Sequence, residues 1–340
     1  MDRNHPTKKD IILTEPRAQN EKTDPLLGRV ALLDQLRGFA LLAMTLYHFV
    51  WDLGFFGYVL PDTASTGFWV LFARAIAFSF LFLVGVSLVL GHGNGLRKRP
   101  FLSRLAQVAG AAAIISLVTW FAIPGGFIFF GILHAIALFS ILALPFLRLR
   151  WWMTLAAALF VGSIGLSLTN EVFDTPFLWW VGMSPKPPLS NDYVPLFPWF
   201  AATLLGVAAA QAMSASLWHK AAATPIPPPA GRPLSFMGRH SLVYYLVHQP
   251  IMLGLIWVFQ FVAGPPDFAP AFSQLCQRQC AAVQSQTFCQ TYCGCMQDKL
   301  MNGSLMADVG SGALNLSKDP VGRAIVEACT ADAFEAHPAE

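Results

Sequence analysis

Residues 34–52 read DQLRGFALLAMTLYHFVWD, an apolar segment that carries four ionisable side chains. On a helix with 3.6 residues per turn, these four fall on one narrow stripe about 27 Å long: Asp34, Arg37, His48 and Asp52. A charge at the centre of a bilayer costs at least about 2.5–3.5 kcal/mol. We therefore predict that the stripe faces the interior of a helix bundle or a wet cavity.

The composition predicts an all-α, polytopic membrane protein. The chain has 340 residues, of which 55% are hydrophobic and 12% charged, and its mean hydropathy is +0.53. Soluble domains have about 25% charged residues, and an apolar run that crosses lipid has to be helical because lipid satisfies no backbone group. The lipid bilayer is thus an expected partner. The net charge of +3 and the lack of a binding motif argue against nucleic acid.

Seven apolar stretches of about 20 residues are candidates to cross the bilayer, near 30–53, 67–91, 101–122, 127–147, 151–169, 195–215 and 241–263. Lys and Arg concentrate in the N-terminal tail and in the second, fourth and sixth connections, and the fifth has only Lys186. Because cytoplasmic loops carry the excess of positive charge, we predict a cytoplasmic N-terminus. Seven crossings then place the C-terminus outside, which in a bacterium is the periplasm, with the chain expected in the inner membrane.

The pattern divides the chain into three parts. Residues 1–28 are polar and lack the apolar segment of a signal peptide, so we expect a disordered cytoplasmic tail. Residues 29–264 form the transmembrane domain, and residues 265–340 form a periplasmic tail. The proline-rich loops at 184–188 and 225–233 are expected to be extended.

All six cysteines lie in the C-terminal tail, where an even count in an oxidising space predicts disulfides. The C-x3-C spacing occurs twice and puts each pair on one helical face. Two short antiparallel helices would then be joined by Cys276–Cys293 and Cys280–Cys289, which leaves Cys295 and Cys329 as a third pair. A zinc site is the alternative, but such sites more often use C-x2-C or include His. No metal is therefore expected.

By depth, the polar groups of the helices fall into a cytoplasmic and a periplasmic cluster. The cytoplasmic cluster comprises Asp34 and Arg37 on the first helix with Tyr245 and His248 on the last. The periplasmic cluster comprises His48, Asp52, Arg74 and His134. Because Asp52 follows His48 by one helical turn, it could orient the imidazole and raise its basicity, as a general base requires.

Structural roles are alternatives for several of these groups. Asp34 and Arg37 could be an ion pair at a helix end, and His134 could be an interhelical hydrogen bonder. The LRKR segment at 96–99 could be an ordinary positive loop, and a haem held by His48 and His134 has little support from two histidines alone.

Four blocks in order resemble one known family: LLDQLRGFALLAMTLYHFVWDL (32–53), FLFLVGVSLVLG (80–91), FGILHAIALFSIL (130–142) and GRHSLVYYLVHQPIM (238–252). They are similar to the bacterial heparan-α-glucosaminide N-acetyltransferase catalytic-domain-like family. The resemblance covers about residues 29–263 and does not include the cysteine-rich tail.

The resemblance implies a membrane-embedded acyltransferase that moves an acetyl group from cytosolic acetyl-CoA to a sugar or envelope acceptor on the far side. The active His of the lysosomal relative lies in the loop after the first helix, but the loop GFFGYVLPDTAST (54–66) has no His. The catalytic role is therefore expected at His48, oriented by Asp52. Arg74 would stabilise the oxyanion, and His134 is the next candidate base.

On the cytoplasmic side, the donor is expected to contact Asp34, Arg37, Tyr245 and His248, with Arg97, Lys98 and Arg99 near its phosphates. A transporter or channel for a small polar or lipid-linked molecule, with the stripe as a proton relay, is the competing interpretation. A membrane anchor for the tail is a third interpretation. The sequence leaves the acceptor and the oligomeric state open.

Overall fold

The structure is a computed structural model that describes residues 31–60, 63–213, 217–218, 220, 226–227, 229–264, 266–311 and 314–337. All regular elements in these ranges are helical, which confirms the all-α prediction. The predicted N-terminal tail, residues 1–28, lies outside the described residues.

Eight α-helices of the described chain precede the tail. In chain order they are α1 (Ala31–Phe55), α2 (Gly67–His92), α3 (Lys98–Ala122), α4 (Ile132–Leu142), α5 (Trp151–Ser167), α6 (Leu196–Ala212), α7 (Gly231–Arg239) and α8 (Ser241–Ala263). By length and composition, α1, α2, α3 and α8 can cross a membrane. The chain is thus a polytopic membrane protein.

The other three predicted spans contain shorter apolar helices, α4, α5 and α6. The 11 residues of α4 cover only about 16 Å, because residues 127–131 are not helical and a 3₁₀ turn begins at Pro145. The number of seven crossings therefore stays a prediction.

Helix α7 begins inside the segment expected to be an extended linker, and it packs on the start of α1. A Cβ atom added to Gly38 would lie 2.2 Å from the carbonyl oxygen of Leu234, and one added to Gly238 would lie 1.8 Å from that of Asp34. Only glycine allows the two backbones to approach this closely. The side chain of Gln35 also holds the chain before α7, since its amide bonds the backbone of Ile226 through both its oxygen and its nitrogen.

Helices α1 and α8 run parallel. Thr45 bonds Tyr244, His48 bonds Gln249, and the carbonyl of Phe56 accepts from Gln260, so the residue numbers rise together. The polar stripe of α1 faces this partner and the rest of the bundle, with Asp34 and Asp52 buried, whereas apolar side chains of α1 are exposed: Leu36, Phe39, Leu42, Leu46 and Phe49. The predicted inward orientation of the stripe is confirmed.

The tail forms a small helical unit held by disulfides. Its helices are α9 (Ala269–Cys280), α10 (Gln286–Asn302), α11 (Met306–Ser311) and α12 (Pro320–Ala336). The three predicted pairs are present: Cys276–Cys293, Cys280–Cys289 and Cys295–Cys329. Around them, Phe272, Met296 and Leu300 form the centre of an apolar core. The spacing of the cysteines therefore predicted both the helical hairpin and its connectivity.

Candidate functional site

Gln249 lies between His48 and Asp52, which were expected to meet directly. Its Nε2 donates to Asp52 Oδ1 at 2.5 Å, and its Oε1 lies 2.6 Å from His48 Nδ1. The Asp52 oxygen accepts from the N–H of the amide, which leaves the amide oxygen turned toward the imidazole. Nδ1 of His48 must then carry the proton, which leaves Nε2 of the neutral ring unprotonated and able to act as a base.

A second histidine lies against the first. The imidazole rings of His48 and His248 are edge to face, with 5.0 Å between centroids. Nδ1 of His248 donates to the carbonyl of Tyr245 at 2.7 Å, so its Nε2 is also unprotonated in the neutral form. That Nε2 is buried and has no hydrogen-bond partner in the described part of the chain.

The contact between the histidines corrects the expected separation of two clusters. His248 was placed near the cytoplasmic face, far from His48, on the assumption that the last helix starts level with the first. However, α7 occupies the space beside residues 34–38, and the hydrogen bonds between α1 and α8 in the described chain start at Thr45. His248 is consequently carried along the bundle to the level of His48.

A cavity of about 230 Å³ lies between α1, α2, α3, α4 and α8. At the α2–α3 connection it is lined by His92 and Arg104, and Arg37 also contributes to its wall. At its other extreme it reaches Ile132, at the start of α4, and Tyr245 on α8. Most of the wall between these ends is apolar.

Tyr245 links the cavity to the histidine pair. Its ring lies 5.7 Å from that of His248, centroid to centroid, and His248 in turn contacts His48. Tyr244 also stacks on His248, with 6.1 Å between the ring centroids. A continuous series of aromatic contacts thus runs from the end of the cavity to His48.

A carboxylate that received no role from the sequence, Asp192, lies behind the same end of the cavity. Its Oδ2 accepts from the backbone N–H of Ile132 at 2.8 Å and from the hydroxyl of Tyr245 at 3.4 Å. Loss of solvation by burial raises the pKa of this carboxyl, and the two hydrogen bonds oppose that shift. Asp192 belongs to the loop before α6, which also pairs with residues 126–130 through backbone hydrogen bonds.

Arg37 is tied to its surroundings as well as lining the cavity. Its Nη1 lies 3.0 Å from Asp34 Oδ1, which is the predicted ion pair, and its Nη2 donates to Ser87 Oγ at 2.5 Å. Arg97, expected near Arg37, instead lines a second cavity of about 740 Å³, beside the α2–α3 connection and the start of α5. Arg104 is the cation that accompanies Arg37 in the first cavity.

Two of the predicted catalytic residues are not brought to His48. His134 is used locally: its Nδ1 accepts from the N–H of Gly131 at 3.2 Å, and its Nε2 lies 3.2 Å from Ser116 Oγ. These contacts stabilise the start of α4. The one with Ser116 also joins α3 to α4, as the alternative of an interhelical hydrogen bonder predicted. The side chain of Arg74 is exposed on α2, and no hydrogen bond joins it to His48 among the described residues.

The sequence analysis did not identify three residues of the site: Gln249, Arg104 and Asp192. Gln249 had a usable signal, because a polar residue beside His248 in an apolar helix requires a partner. Arg104 is one of several cations in its segment, and Asp192 lies in an irregular loop without periodicity. Within the described ranges, no group of three or more His, Cys, Asp or Glu side chains could hold a metal.

The apolar helices and the buried polar site define a polytopic membrane protein with an internal histidine pair and an adjoining cavity. The family model described as "Heparan-alpha-glucosaminide N-acetyltransferase, catalytic" matches residues 29–250, about two thirds of the chain. The chain belongs to this family, which the four blocks had indicated. A comparison with curated proteins found no match, and a comparison with solved structures found none either.

Proposed function

We propose that this protein transfers an acetyl group from cytosolic acetyl-CoA to an amine or hydroxyl of a sugar or envelope acceptor on the opposite side of the membrane. Membership of the acetyltransferase family supports the reaction class. The observation that carries the proposal is the cavity, which begins beside two guanidinium groups and ends where Tyr245 contacts the histidine pair.

The cavity suits the donor. Arg37 and Arg104 would hold phosphate groups, since guanidinium binds phosphate strongly through paired N–H donors. The apolar wall would contact the pantetheine arm, and the acyl end would lie near Tyr245. In this proposal the α2–α3 connection, with Arg97, Lys98 and Arg99, faces the cytoplasm, and residues 265–340 form a periplasmic tail.

His48 would act as the general base. Its Nε2 takes the proton of the acceptor amine or hydroxyl while the acceptor atom attacks the thioester carbonyl. The tetrahedral oxyanion then collapses, the C–S bond breaks, and the CoA thiolate takes the proton from the imidazolium. Gln249 and Asp52 hold Nδ1–H throughout, so Nε2 is the nitrogen that exchanges the proton. The oxyanion role of Arg74 stays a prediction.

The test is release of CoA by the purified protein in nanodiscs, with acetyl-CoA as donor and glucosamine as probe acceptor. Free thiol can be measured with a chromogenic disulfide, because all six cysteines of the chain are paired. We expect acceptor-dependent thiol release and N-acetylglucosamine detectable by mass spectrometry. The contrary result is a protein that binds acetyl-CoA but transfers the acetyl group to none of a panel of amino sugars and lipid-linked sugars. It would contradict the proposal and favour the transporter alternative.

A further inference from the structure

We infer that Asp192 is a positioning residue of this site, which holds the phenol of Tyr245 at the end of the cavity nearest the histidine pair. The inference rests on the proposed function and adds a residue that neither the sequence pattern nor the family match assigns. It depends on a juxtaposition of three elements: the loop before α6, the start of α4 and the second turn of α8.

The first observation is the convergence of donors on one oxygen. Oδ2 of Asp192 accepts from Ile132 N–H and from the Tyr245 hydroxyl, and both Ile132 and Tyr245 line the cavity. The carboxylate therefore lies directly behind the cavity wall rather than in it. The N–H of Ile132 and the O–H of Tyr245 both donate to this oxygen, at 2.8 Å and 3.4 Å, so Oδ2 is the acceptor that they share.

The second observation is that a glycine, Gly131, leaves room for the Asp192 carboxylate at the start of α4. A Cβ atom added to Gly131 would lie 2.2 Å from Asp192 Oδ2. Any other residue there would push the carboxylate away from the start of α4 and from Tyr245. The same loop is fixed on both sides, since Asn191 N–H donates to the carbonyl of Gly126 and Val194 N–H to that of Phe130.

The third observation is that Tyr245 contacts His248 through both its ring and its backbone. Its ring touches His248, and its backbone carbonyl accepts the Nδ1–H of the same histidine. A phenol that is free to rotate would change the wall against which the acyl end of the donor rests. Holding the phenol by Asp192 therefore fixes the distance between the acyl group and the histidine pair, which is a condition for efficient transfer.

A capping role for α4 is the competing explanation, because Asp192 also binds Ile132 N–H. The two explanations differ in their coupling to Tyr245. A positioning role acts through the phenol hydroxyl and disappears when that hydroxyl is removed. A capping role is independent of the hydroxyl, so its effects on turnover would add.

The experiment is a double-mutant cycle on the full chain in nanodiscs: wild type, Asp192→Asn, Tyr245→Phe and the double variant. We expect Asp192→Asn to lower kcat/KM for acetyl-CoA about tenfold, with glucosamine as probe acceptor. In the Tyr245→Phe background the same change should cost less than about twofold. The Kd of CoA, measured by calorimetry, should be unchanged in all four proteins, because its phosphates are held at the other end of the cavity.

Equal losses in the two backgrounds, or no loss in either, would overturn the inference while leaving the acetyltransferase proposal intact. A wild-type protein that releases no CoA would refute the proposed function, and the inference with it. If Asp192→Asn fails to fold, Tyr245→Phe decides alone: it must show the about tenfold loss at unchanged CoA affinity, and wild-type turnover would reject the positioning role.

Discussion

The imidazoles of His48 and His248 lie edge to face, 5.0 Å apart, although the two residues are 200 positions apart in sequence and belong to different helices. Both rings have Nδ1 engaged, one by the amide of Gln249 and the other by the carbonyl of Tyr245. In the neutral forms, each ring leaves its Nε2 unprotonated. The pair therefore offers two unprotonated ring nitrogens close to the cavity.

Replacement of His48 should abolish transfer without affecting donor binding. His48→Ala removes the proposed base, whereas the guanidinium groups that hold the donor phosphates remain. We expect acetyl transfer to fall to background and the Kd of CoA to stay within about twofold. His240→Ala is the matched control, because this histidine is exposed and outside the cavity. Near-wild-type transfer by a stable His48→Ala protein would refute its role as base.

Gln249 should matter more for turnover than Asp52. Gln249→Leu removes the acceptor that fixes the tautomer of His48, and we expect a loss of about 10²–10⁴ in kcat. Asp52→Asn keeps an oxygen that can still accept from the Gln249 amide, so its loss should be smaller. Steady-state kinetics on both variants check the order. A larger effect of Asp52→Asn would mean that the carboxylate acts on His48 by another route.

The cavity cations should determine donor affinity. We expect Arg104→Ala and Arg37→Ala each to weaken CoA binding about tenfold, because each removes charge-assisted hydrogen bonds to phosphate. The control is Arg148→Ala, since Arg148 is exposed and lines neither of the two cavities described above. Calorimetric titration with CoA gives the constants. Unchanged affinity in both cavity variants would place the phosphates elsewhere.

The contact between α1 and α7 should not accept a methyl group. In Gly238→Ala the new carbon would overlap the carbonyl oxygen of Asp34, and we expect a loss of about 1–3 kcal/mol in stability. Gly254→Ala is the control, because nothing lies within 4 Å of a carbon added there. Thermal melts in detergent provide the comparison. Equal melting temperatures for the two variants would contradict the close backbone approach.

The longest disulfide loop should contribute most to the stability of the tail. The pairs Cys280–Cys289 and Cys295–Cys329 close loops with sequence separations of 9 and 34. In the chain-entropy description, losing the longer loop costs about 1 kcal/mol more than losing the shorter one. Hydrogen exchange of residues 269–336 in the two double Cys→Ser variants measures the difference. Greater loosening on loss of the short loop would contradict this account.

Periodic and local patterns predicted the features that depend on one helix or on short separations. The stripe of α1 is visible because its four ionisable residues repeat in phase with the helix. The disulfide connectivity follows because two C-x3-C faces on adjacent antiparallel helices allow few pairings. Both predictions needed only the geometry of regular helices.

Features that depend on how helices are offset were not predictable from the sequence. The predicted depth of His248 was wrong because the packing of α7 displaces the start of α8. The proline-rich segment gave no indication of this helix. The predicted direct contact of His48 with Asp52 lacked its bridging residue, because Gln249 comes from another helix. Asp192 reaches the site through a loop whose path is set by backbone pairing rather than by periodicity.

The Cys295–Cys329 bond turns the segment between these residues into a closed ring. A protease that cuts at the exposed turn of Gly303 and Ser304 would open this ring without dividing the protein, so both pieces would migrate together until a thiol is added. Cleavage and release are thereby two separate events in the tail. The second depends on the redox state of the compartment in which the tail resides.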